Sequence, residues 1–295
     1  MLFASIDIGT NAVRLFFANV FEKKGAPSVE KASLIRIPLR LGEDVFSNGC
    51  ISERKTKKLL DTMKAFKLLI DVYEPIQYIA CATAAMREAS NRIEIIEEIK
   101  KYTDLEIRII DGIEEANILG ATNNINLNLK HNLSMYVDVG GGSTEISIIS
   151  DNKMVDSISF KIGTIRLLNN KVEEIEWENM KIWLKKYKND FEKIFLIGSG
   201  GNINKIAKIY GNNISNTLTF KDLKKAYSHL NEYTLTERIE VLGMRPDRAD
   251  VILPAASIFI SIMKWAKIDS VYVPKIGLAD GLIHKLFIEY KKSLE

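Results

Sequence analysis

Glycines, hydroxyl side chains and acids are concentrated in one stretch near the middle of the sequence, directly after an apolar run. In order, they are Asp138, Gly140, Gly141, Gly142, Ser143, Thr144 and Glu145. Because glycine reaches backbone angles that are closed to other residues, successive amides of such a turn can point at one phosphate. The carboxylates of Asp138 and Glu145 flank the turn, where a hard cation such as Mg²⁺ can bridge them to phosphate oxygens. The stretch predicts a strand, an anion-binding turn and a second strand, although a glycine-rich hairpin with a capping acid has the same pattern.

Two further stretches repeat this arrangement of an apolar run followed by small and polar residues. The first, near the start of the chain, comprises Asp7, Gly9, Thr10 and Asn11. The second follows the apolar run Ile194–Ile197 and comprises Gly198, Ser199, Gly200 and Gly201. A strand–turn unit that recurs about half a chain apart predicts two similar domains that face each other across a cleft.

The elements that position these turns alternate along the chain as strand, helix, strand, helix. This order predicts an α/β fold in which helices flank mixed sheets. The Asn-rich segment Asn123–Asn132 lacks periodicity, so we predict it as the hinge between an N-terminal domain, residues 1–122, and a C-terminal domain, residues 123–295. In an alternative arrangement, the last helix, predicted from Ala279, packs back on the first domain. The segment Arg40–Gly42 is predicted as a loop.

Length and composition describe an ordinary globular protein. The chain has 295 residues, enough for two domains with their own cores, and 46% of its residues are hydrophobic. A net charge of +3 gives no indication of nucleic-acid binding. The two cysteines, Cys50 and Cys81, lack metal-ligand spacing, which indicates a reduced, cytoplasmic protein. The first residues turn acidic too early for a signal peptide, and no apolar stretch approaches the roughly 20 residues of a membrane span.

The glycine turns belong to an ordered set of motifs that covers almost the whole chain. The set comprises Ile6–Asn11, Val13–Leu15, Arg40–Glu43, Ala82–Asn91, Asp111–Ala116, Asp138–Glu145, Ile162–Leu167, Gly198–Gly201, Glu237–Arg238 and Arg248–Asp250. In this order the motifs resemble those of the Ppx/GppA group of exopolyphosphatases and guanosine pentaphosphate phosphohydrolases, within the actin, sugar-kinase and heat-shock-chaperone superfamily. The resemblance implies two actin-like (ribonuclease H-like) domains with the active site in the interdomain cleft.

The resemblance also implies roles for individual residues. It assigns the general base to Glu115 rather than Glu114, since a carboxylate that faces phosphate-binding amides can polarise a water held against the terminal phosphorus. It implies that Arg87 contacts the substrate phosphate. Asp7 would add a third carboxylate to the magnesium site through a water molecule. Three further arginines fit either phosphate contacts or structural salt bridges, namely Arg14, Arg40 and Arg166.

The reaction that the resemblance implies is hydrolysis of a phosphoanhydride. The leading expectation is magnesium-dependent release of the terminal phosphate of inorganic polyphosphate by a homodimer. The alternative is removal of the 5′-terminal phosphate of guanosine pentaphosphate, and no residue separates the two because both substrates present the same triphosphate-like end. Two other classes are a sugar or acetate kinase, against which the motif Glu114–Ala116 argues, and a non-catalytic polyphosphate or nucleotide sensor, against which the intact acids argue. Because the chain stops at residue 295, without the helical extension of long family members, we expect a distributive enzyme.

Overall fold

The computed structural model describes residues 1–23, 26–126, 133–151, 153–187, 194–274 and 276–294. The chain forms two compact units, of which the first comprises Met1–Asn128 and Gly277–Glu295 and the second comprises Leu129–Ile276. The predicted boundary, between residues 122 and 123, lies a few residues before the start of the second unit, and the last helix belongs to the first unit, as in the alternative arrangement.

The first unit is built around a five-stranded sheet. Its strands are β1 (Leu2–Ile8), β2 (Val13–Lys23), β3 (Ala26–Ile37), β4 (Gln77–Ala82) and β5 (Ile107–Ile109). The helices of this part of the chain are α1 (Leu41–Asn48), α2 (Glu53–Tyr73), α3 (Ala84–Glu88), α4 (Arg92–Thr103) and α5 (Gly112–Asn126), of which α5 follows β5. The strand order is β3-β2-β1-β4-β5, antiparallel from β3 to β1 and parallel from β1 to β5. The carboxyl ends of β1, β4 and β5 therefore meet at one edge of the sheet.

The second unit is built around a six-stranded sheet. Its strands are β6 (Leu133–Val139), β7 (Thr144–Ser150), β8 (Lys153–Phe160), β9 (Phe195–Ser199), β10 (Thr217–Thr219) and β11 (Ser270–Tyr272). Its helices are α6 (Thr164–Leu168), α7 (Glu174–Lys185), α8 (Gly201–Tyr210), α9 (Phe220–Asn231), α10 (Leu235–Glu240), α11 (Pro246–Ala249) and α12 (Ile252–Ala266). The strand order is β10-β11-β9-β6-β7-β8. The chain then returns to the first unit as α13 (Leu278–Ser293).

Side chains alternate between the two faces of β6 and β7, as in any strand. Met135, Val137 and Ile146 are buried in an apolar core that also includes residues of α7, α8, α9 and α12. Asp138 and Glu145 lie on the opposite face and are direct partners in the antiparallel register. The apolar alternation of these two strands therefore fixes the two acids side by side.

Helix α13 completes the core of the first unit. Its residues Ile283 and Phe287 are buried with Phe3 and other residues of β1 and β2, and the Phe3 and Phe287 rings meet edge to face at 6.0 Å. The Ser5 hydroxyl donates a hydrogen bond of 2.9 Å to the carbonyl of Ala279. The apolar face of α13 covers an apolar face of this sheet, and for that reason the last helix belongs to the first unit.

One stretch is longer and more apolar than we expected from the sequence. Pro246–Ala266 spans 21 residues with a mean hydropathy of 1.5 over its most apolar window, which meets the length and composition of a membrane span. However, 56% of that window is buried inside the structure. Ile258 and Phe259 of this stretch are fully buried in the core of the second unit. The stretch therefore has the character of a core helix of a globular unit.

The predicted loop at Arg40–Gly42 is wrong, because α1 begins at Leu41. Arg40 adopts left-handed backbone angles (φ 53°, ψ 47°), which turn the chain from the segment after β3 into α1. Leu41, Val45 and Phe46 then bury one face of the helix, which a short segment without a long apolar period did not reveal. The first part of the predicted hinge is also helical, since α5 extends to Asn126, and residues 127–132 of that hinge lie outside the described residues.

Candidate functional site

The turn between β1 and β2 is held tightly by its own backbone. The Gly9 amide donates to the Ala12 carbonyl at 3.1 Å, and a Cβ on Gly9 would lie 3.0 Å from that oxygen. The carbonyls of Thr10 and Asn11 each accept a bond of 3.0 Å from the backbone at the start of α1. Since the carbonyl and amide of one trans peptide point in opposite directions, these bonds direct the amides that follow Thr10 and Asn11 away from α1.

Gly42 explains the motif Arg40–Glu43, whose function the sequence alone did not reveal. A Cβ on Gly42 would lie 2.2 Å from Cγ2 of Thr10 and 2.8 Å from the Phe46 ring, so only glycine lets α1 approach the turn this closely. The Arg40 guanidinium donates to Glu43 at 2.6 Å, and Lys55 binds the Arg40 carbonyl at 2.6 Å. Arg40 therefore has structural partners and supports the first glycine turn from behind.

Asp7 and Arg14 are direct partners in the β1–β2 register and form an ion pair. The Asp7 side chain is 3% exposed and that of Arg14 is 32% exposed. The predicted roles, metal binding for Asp7 and phosphate binding for Arg14, stay predictions, and each side chain already has this partner. A third charged group, Asp280 of α13, was missed. The pKa of its carboxyl is raised, because burial outweighs the hydrogen bond from the Gly277 amide and the charge of Arg14, which lower it.

Arg87 lies at the edge where the parallel strands of the first unit end. The Thr83 amide donates to the Ile8 carbonyl at 3.2 Å, and the Ile110 amide donates to the Ala82 carbonyl at 3.0 Å, so β1, β4 and β5 end together. The Arg87 guanidinium donates to the Ile110 carbonyl at 2.9 Å, directly before α5. Arg87 is therefore oriented by the same edge that carries the first glycine turn.

The structure distinguishes the two neighbouring acids at the start of α5. Glu114 accepts from Arg108 at 2.5 Å and from Lys285 at 3.3 Å, and it is thus part of an ion-pair cluster within the first unit. Glu115 is 8% exposed, and its amide donates to the Asp111 carbonyl at 3.0 Å. The ion pairs give Glu114 a structural role, and the role of Glu115 as general base stays a prediction.

Cys81 is unsuited to nucleophilic catalysis. It is fully buried in β4, and burial raises the pKa of its thiol to about 11. A thiol with this pKa is protonated at neutral pH, whereas the thiolate is the reactive form.

The triple-glycine turn between β6 and β7 is held by the segment that begins α6. The carbonyls of its three glycines accept bonds of 2.9–3.0 Å from the amides of Thr164 and Ile165 and from the Arg166 guanidinium. A Cβ on Gly163 would lie 2.3 Å from the Gly142 carbonyl carbon, so this approach requires glycine. In the part of the chain that the structure describes, the amides of Gly141 and Gly142 donate no backbone–backbone hydrogen bond. The turn thus keeps its carbonyls occupied and its central amides available to an anion.

The two hydroxyl residues after the glycines are both buried. Thr144 is 0% exposed, and its hydroxyl donates to the Ile162 carbonyl at 2.5 Å. Ser143 is 5% exposed, and its carbonyl accepts from the Gly140 amide at 3.0 Å. The Thr144 side chain thus links the turn to the segment that follows β8, and its predicted contact with phosphate stays a prediction.

The carboxylates of Asp138 and Glu145 are close enough to share a cation. An oxygen of each lies within 4.8 Å of the other, and Glu145 is 2% exposed. The Ser159 hydroxyl donates to Oε1 of Glu145 at 2.8 Å. Paired carboxylate oxygens beside a turn that can bind phosphate are the donor set that Mg²⁺ prefers, so the residues fit a magnesium ion.

The third glycine turn combines two different requirements. A Cβ on Gly198 would lie 2.8 Å from Val271 and 3.0 Å from Phe259, so Gly198 serves core packing. Gly200 has φ +117°, which other residues rarely adopt, and its Cβ would lie 2.8 Å from the Val139 carbonyl oxygen and 3.6 Å from Oδ1 of Asp138. The structure therefore brings Gly200 against the end of β6, beside Asp138.

Two neighbours anchor this third turn. The Ser199 hydroxyl donates to the Ile276 carbonyl at 3.0 Å. The Arg248 guanidinium donates to the Gly201 carbonyl at 2.9 Å, which gives the motif Arg248–Asp250 a structural function. The predicted phosphate contacts of Ser199 and Gly201 stay predictions.

Comparison with known proteins gives consistent matches over most of the chain. The profile of the Ppx/GppA phosphatase family matches residues 31–289. A bifunctional 3-dehydroquinate synthase/phosphatase of Fusobacterium nucleatum is 30% identical and covers 92% of this chain, which spans 44% of that protein. Exopolyphosphatase 1 of Mycobacterium leprae is 23% identical over 94% of this chain and 87% of its own length. A guanosine-5′-triphosphate,3′-diphosphate pyrophosphatase of Photobacterium profundum is 23% identical over 97% of this chain and 59% of its own length.

Solved structures give the same result at the level of the fold. The crystal structure of the Aquifex aeolicus member of the Ppx/GppA family is 27% identical, with a TM-score of 0.77 over 98% of both chains. An exopolyphosphatase from Cytophaga hutchinsonii is 24% identical, with a TM-score of 0.84 over 98% of both chains.

Proposed function

The chain belongs to the Ppx/GppA phosphatase family, and we propose that it is a hydrolase that releases the terminal phosphate of inorganic polyphosphate. The family and the α/β fold with two actin-like units that the motifs predicted are confirmed. The observation that carries the proposal is the triple-glycine turn, whose carbonyls are bound by the α6 segment while the paired acids Asp138 and Glu145 flank it.

Backbone amides account for substrate binding in this proposal. As the bridging P–O bond breaks, negative charge is spread over the oxygens of the transferred phosphoryl group and develops on the leaving oxygen, and fixed amide dipoles stabilise such charge without reorganising. The turns at Gly9–Asn11 and Gly140–Gly142 supply these dipoles, because their carbonyls are turned towards α1 and α6. Gly200 leaves space beside Asp138 that a larger residue would fill.

Asp138 and Glu145 would hold Mg²⁺ or another divalent cation. When bound, such an ion neutralises phosphate oxygens and fixes their position. The protein's contribution is to hold two carboxylates side by side on adjacent strands, with one Glu145 oxygen hydrogen-bonded to Ser159. Asp7 would take part through a water molecule, in competition with its ion pair to Arg14.

Glu115 would act as general base. It accepts the proton of a water molecule whose oxygen forms the new bond to the terminal phosphorus, and the bond from phosphorus to the bridging oxygen breaks. Arg87 would neutralise the transferred phosphate. The buried start of α5 and the bond from Arg87 to the Ile110 carbonyl support defined orientations for both side chains.

Polyphosphate is the preferred substrate in this proposal because the mycobacterial exopolyphosphatase matches along 87% of its own length. Guanosine pentaphosphate is the second candidate, supported by the relatives named for that activity, of which this chain spans a smaller part.

We also propose a cytoplasmic homodimer. The free thiols of Cys50 and Cys81 support a reducing compartment.

Phosphate release measured in parallel from the two substrates tests the proposal. With Mg²⁺ and no acceptor, we expect release from polyphosphate to exceed release from guanosine pentaphosphate. The reverse ranking would favour the second candidate. No release from either substrate, or release only with a sugar or carboxylate acceptor, would contradict hydrolysis.

A further inference from the structure

The edge hairpin β7–β8 carries a row of polar side chains on the face that also holds Asp138. In the antiparallel register, Glu145 is the partner of Ser159, and Ser147 is the partner of Ser157. Because alternate residues share a face, both pairs lie on the same side of the sheet. The Ser159 hydroxyl donates to Oε1 of Glu145 at 2.8 Å, and the hydroxyls of Ser147 and Ser157 lie 3.1 Å apart. The first pair thus includes an acid, whereas the second is neutral.

Glu145 stands between two partners of different kinds. Asp138 is opposite it on β6, and Ser159 is opposite it on β8. The three side chains therefore form one row across three strands. Glu145 is 2% exposed, and a buried carboxylate whose rotation is unrestrained can turn its oxygens away from a neighbouring ligand. The hydrogen bond from Ser159 restrains that rotation at one oxygen.

We propose that Ser159 is a positioning residue, which orients the Glu145 carboxylate towards a divalent cation shared with Asp138. The effect of Ser159 on cation binding does not depend on hydrolysis. Only the use of that cation in catalysis rests on the proposed function. Outer partners that orient a ligating carboxylate typically change metal affinity about 10- to 100-fold when removed. Ser157 is a matched control, since it lies on the same strand and face, in the next pair along the hairpin, and contacts no acid in the described hydrogen bonds.

Direct binding of Mn²⁺ to the substrate-free protein tests this inference without any turnover. Free Mn²⁺ is measured by electron paramagnetic resonance for the wild type and for Ser159→Ala, Ser159→Thr and Ser157→Ala. We expect Ser159→Ala to weaken Mn²⁺ binding about ten-fold or more. Ser159→Thr keeps the hydroxyl and should restore affinity to within about three-fold, and Ser157→Ala should stay within about two-fold of the wild type. Ser159→Cys, of similar size but a weaker donor, replaces the alanine variant if that variant does not fold.

The outcomes separate this inference from the proposed function. If Ser159→Ala, or Ser159→Cys in its place, binds Mn²⁺ as the wild type does, the positioning role is wrong even when polyphosphate is hydrolysed. It is also wrong if the wild type binds no Mn²⁺, or if Glu145→Ala binds Mn²⁺ as tightly as the wild type does. If the Mn²⁺ affinities follow the expected order while no phosphate is released from either substrate, Ser159 positions Glu145 and the proposed hydrolysis fails.

Discussion

Replacing Gly163 by Ala should disable the triple-glycine turn without altering any acid or hydroxyl group of the site. The new Cβ would lie 2.3–2.5 Å from three backbone atoms of Gly141 and Gly142. Because carbon atoms prefer separations of about 3.5 Å or more, the turn and the start of α6 must separate by about 1 Å. No side-chain rotation relieves the clash, since all three atoms belong to the backbone. The ordinary φ of Gly163, −133°, means that the cost is steric alone.

Two magnitudes follow for Gly163→Ala. Overpacking of this kind costs about 1–3 kcal/mol of unfolding free energy. A displacement of about 1 Å in groups that position a reacting phosphate can lower the rate about 100-fold. Urea unfolding gives the first quantity, and phosphate release from polyphosphate at matched folded fraction gives the second.

Gly243→Ala is the control in the same unit. Gly243 has φ +61°, and a Cβ added there would have no atom within 4 Å, so alanine costs about 1–2 kcal/mol of backbone strain and touches nothing. We expect the two variants to lose comparable stability, while only Gly163→Ala loses activity. If Gly163→Ala retains more than half of the wild-type rate, the turn does not depend on its contact with α6, and the reasoning is refuted.

Three further expectations concern the acids and the buried thiol. Glu115→Gln should lower kcat about 100-fold or more with little change in KM. The control, Glu114→Gln, should affect stability rather than rate. If Glu115→Gln keeps more than a tenth of wild-type kcat, the general base is another residue. Glu145→Ala should raise the Mg²⁺ concentration needed for activity or abolish turnover with circular dichroism unchanged, and an unaltered Mg²⁺ titration would contradict the assignment. Burial raises the pKa of Cys81 from 9.0 to about 11. Since the unfolded chain loses this proton first, the free energy of unfolding should fall by roughly 2–3 kcal/mol between about pH 9 and pH 11. Cys81→Ala should flatten that decline in urea titrations, and an equal slope in both proteins would show that the thiol makes no contribution.

The chemistry-bearing stretches could be recognised in the sequence because their signals are local. An apolar run, an acid and a glycine turn follow one another within a few residues at Asp7 and at Asp138, and the predicted strands and turns occur there. The preference for Glu115 over Glu114 agrees with the ion pairs of Glu114. Family and fold followed from the order of the motifs rather than from any one of them.

What escaped prediction depends on contacts between residues that are distant in the chain. Gly42 and Gly163 are required by close approach to the two turns, and Gly198 is required by Phe259 and Val271, yet in the sequence all are simply glycines. Ser159 becomes relevant only through strand register. Periodicity predicts which face of an element is apolar, but it does not identify the partner that covers that face. The position of α13 was left open for the same reason.

The return of the chain to the first unit as α13 bears on how the protein folds during synthesis. The second unit, Leu129–Ile276, is one continuous segment and can fold as soon as it has been made. The first unit must wait, because the bond between Ser5 and Ala279 joins residues 274 positions apart. Until α13 emerges, Phe3 and its neighbours on β1 and β2 lack the helix that buries them. Of the two units, the one whose synthesis begins first is thus the last to become stable, and one face of its sheet stays open until α13 has been made.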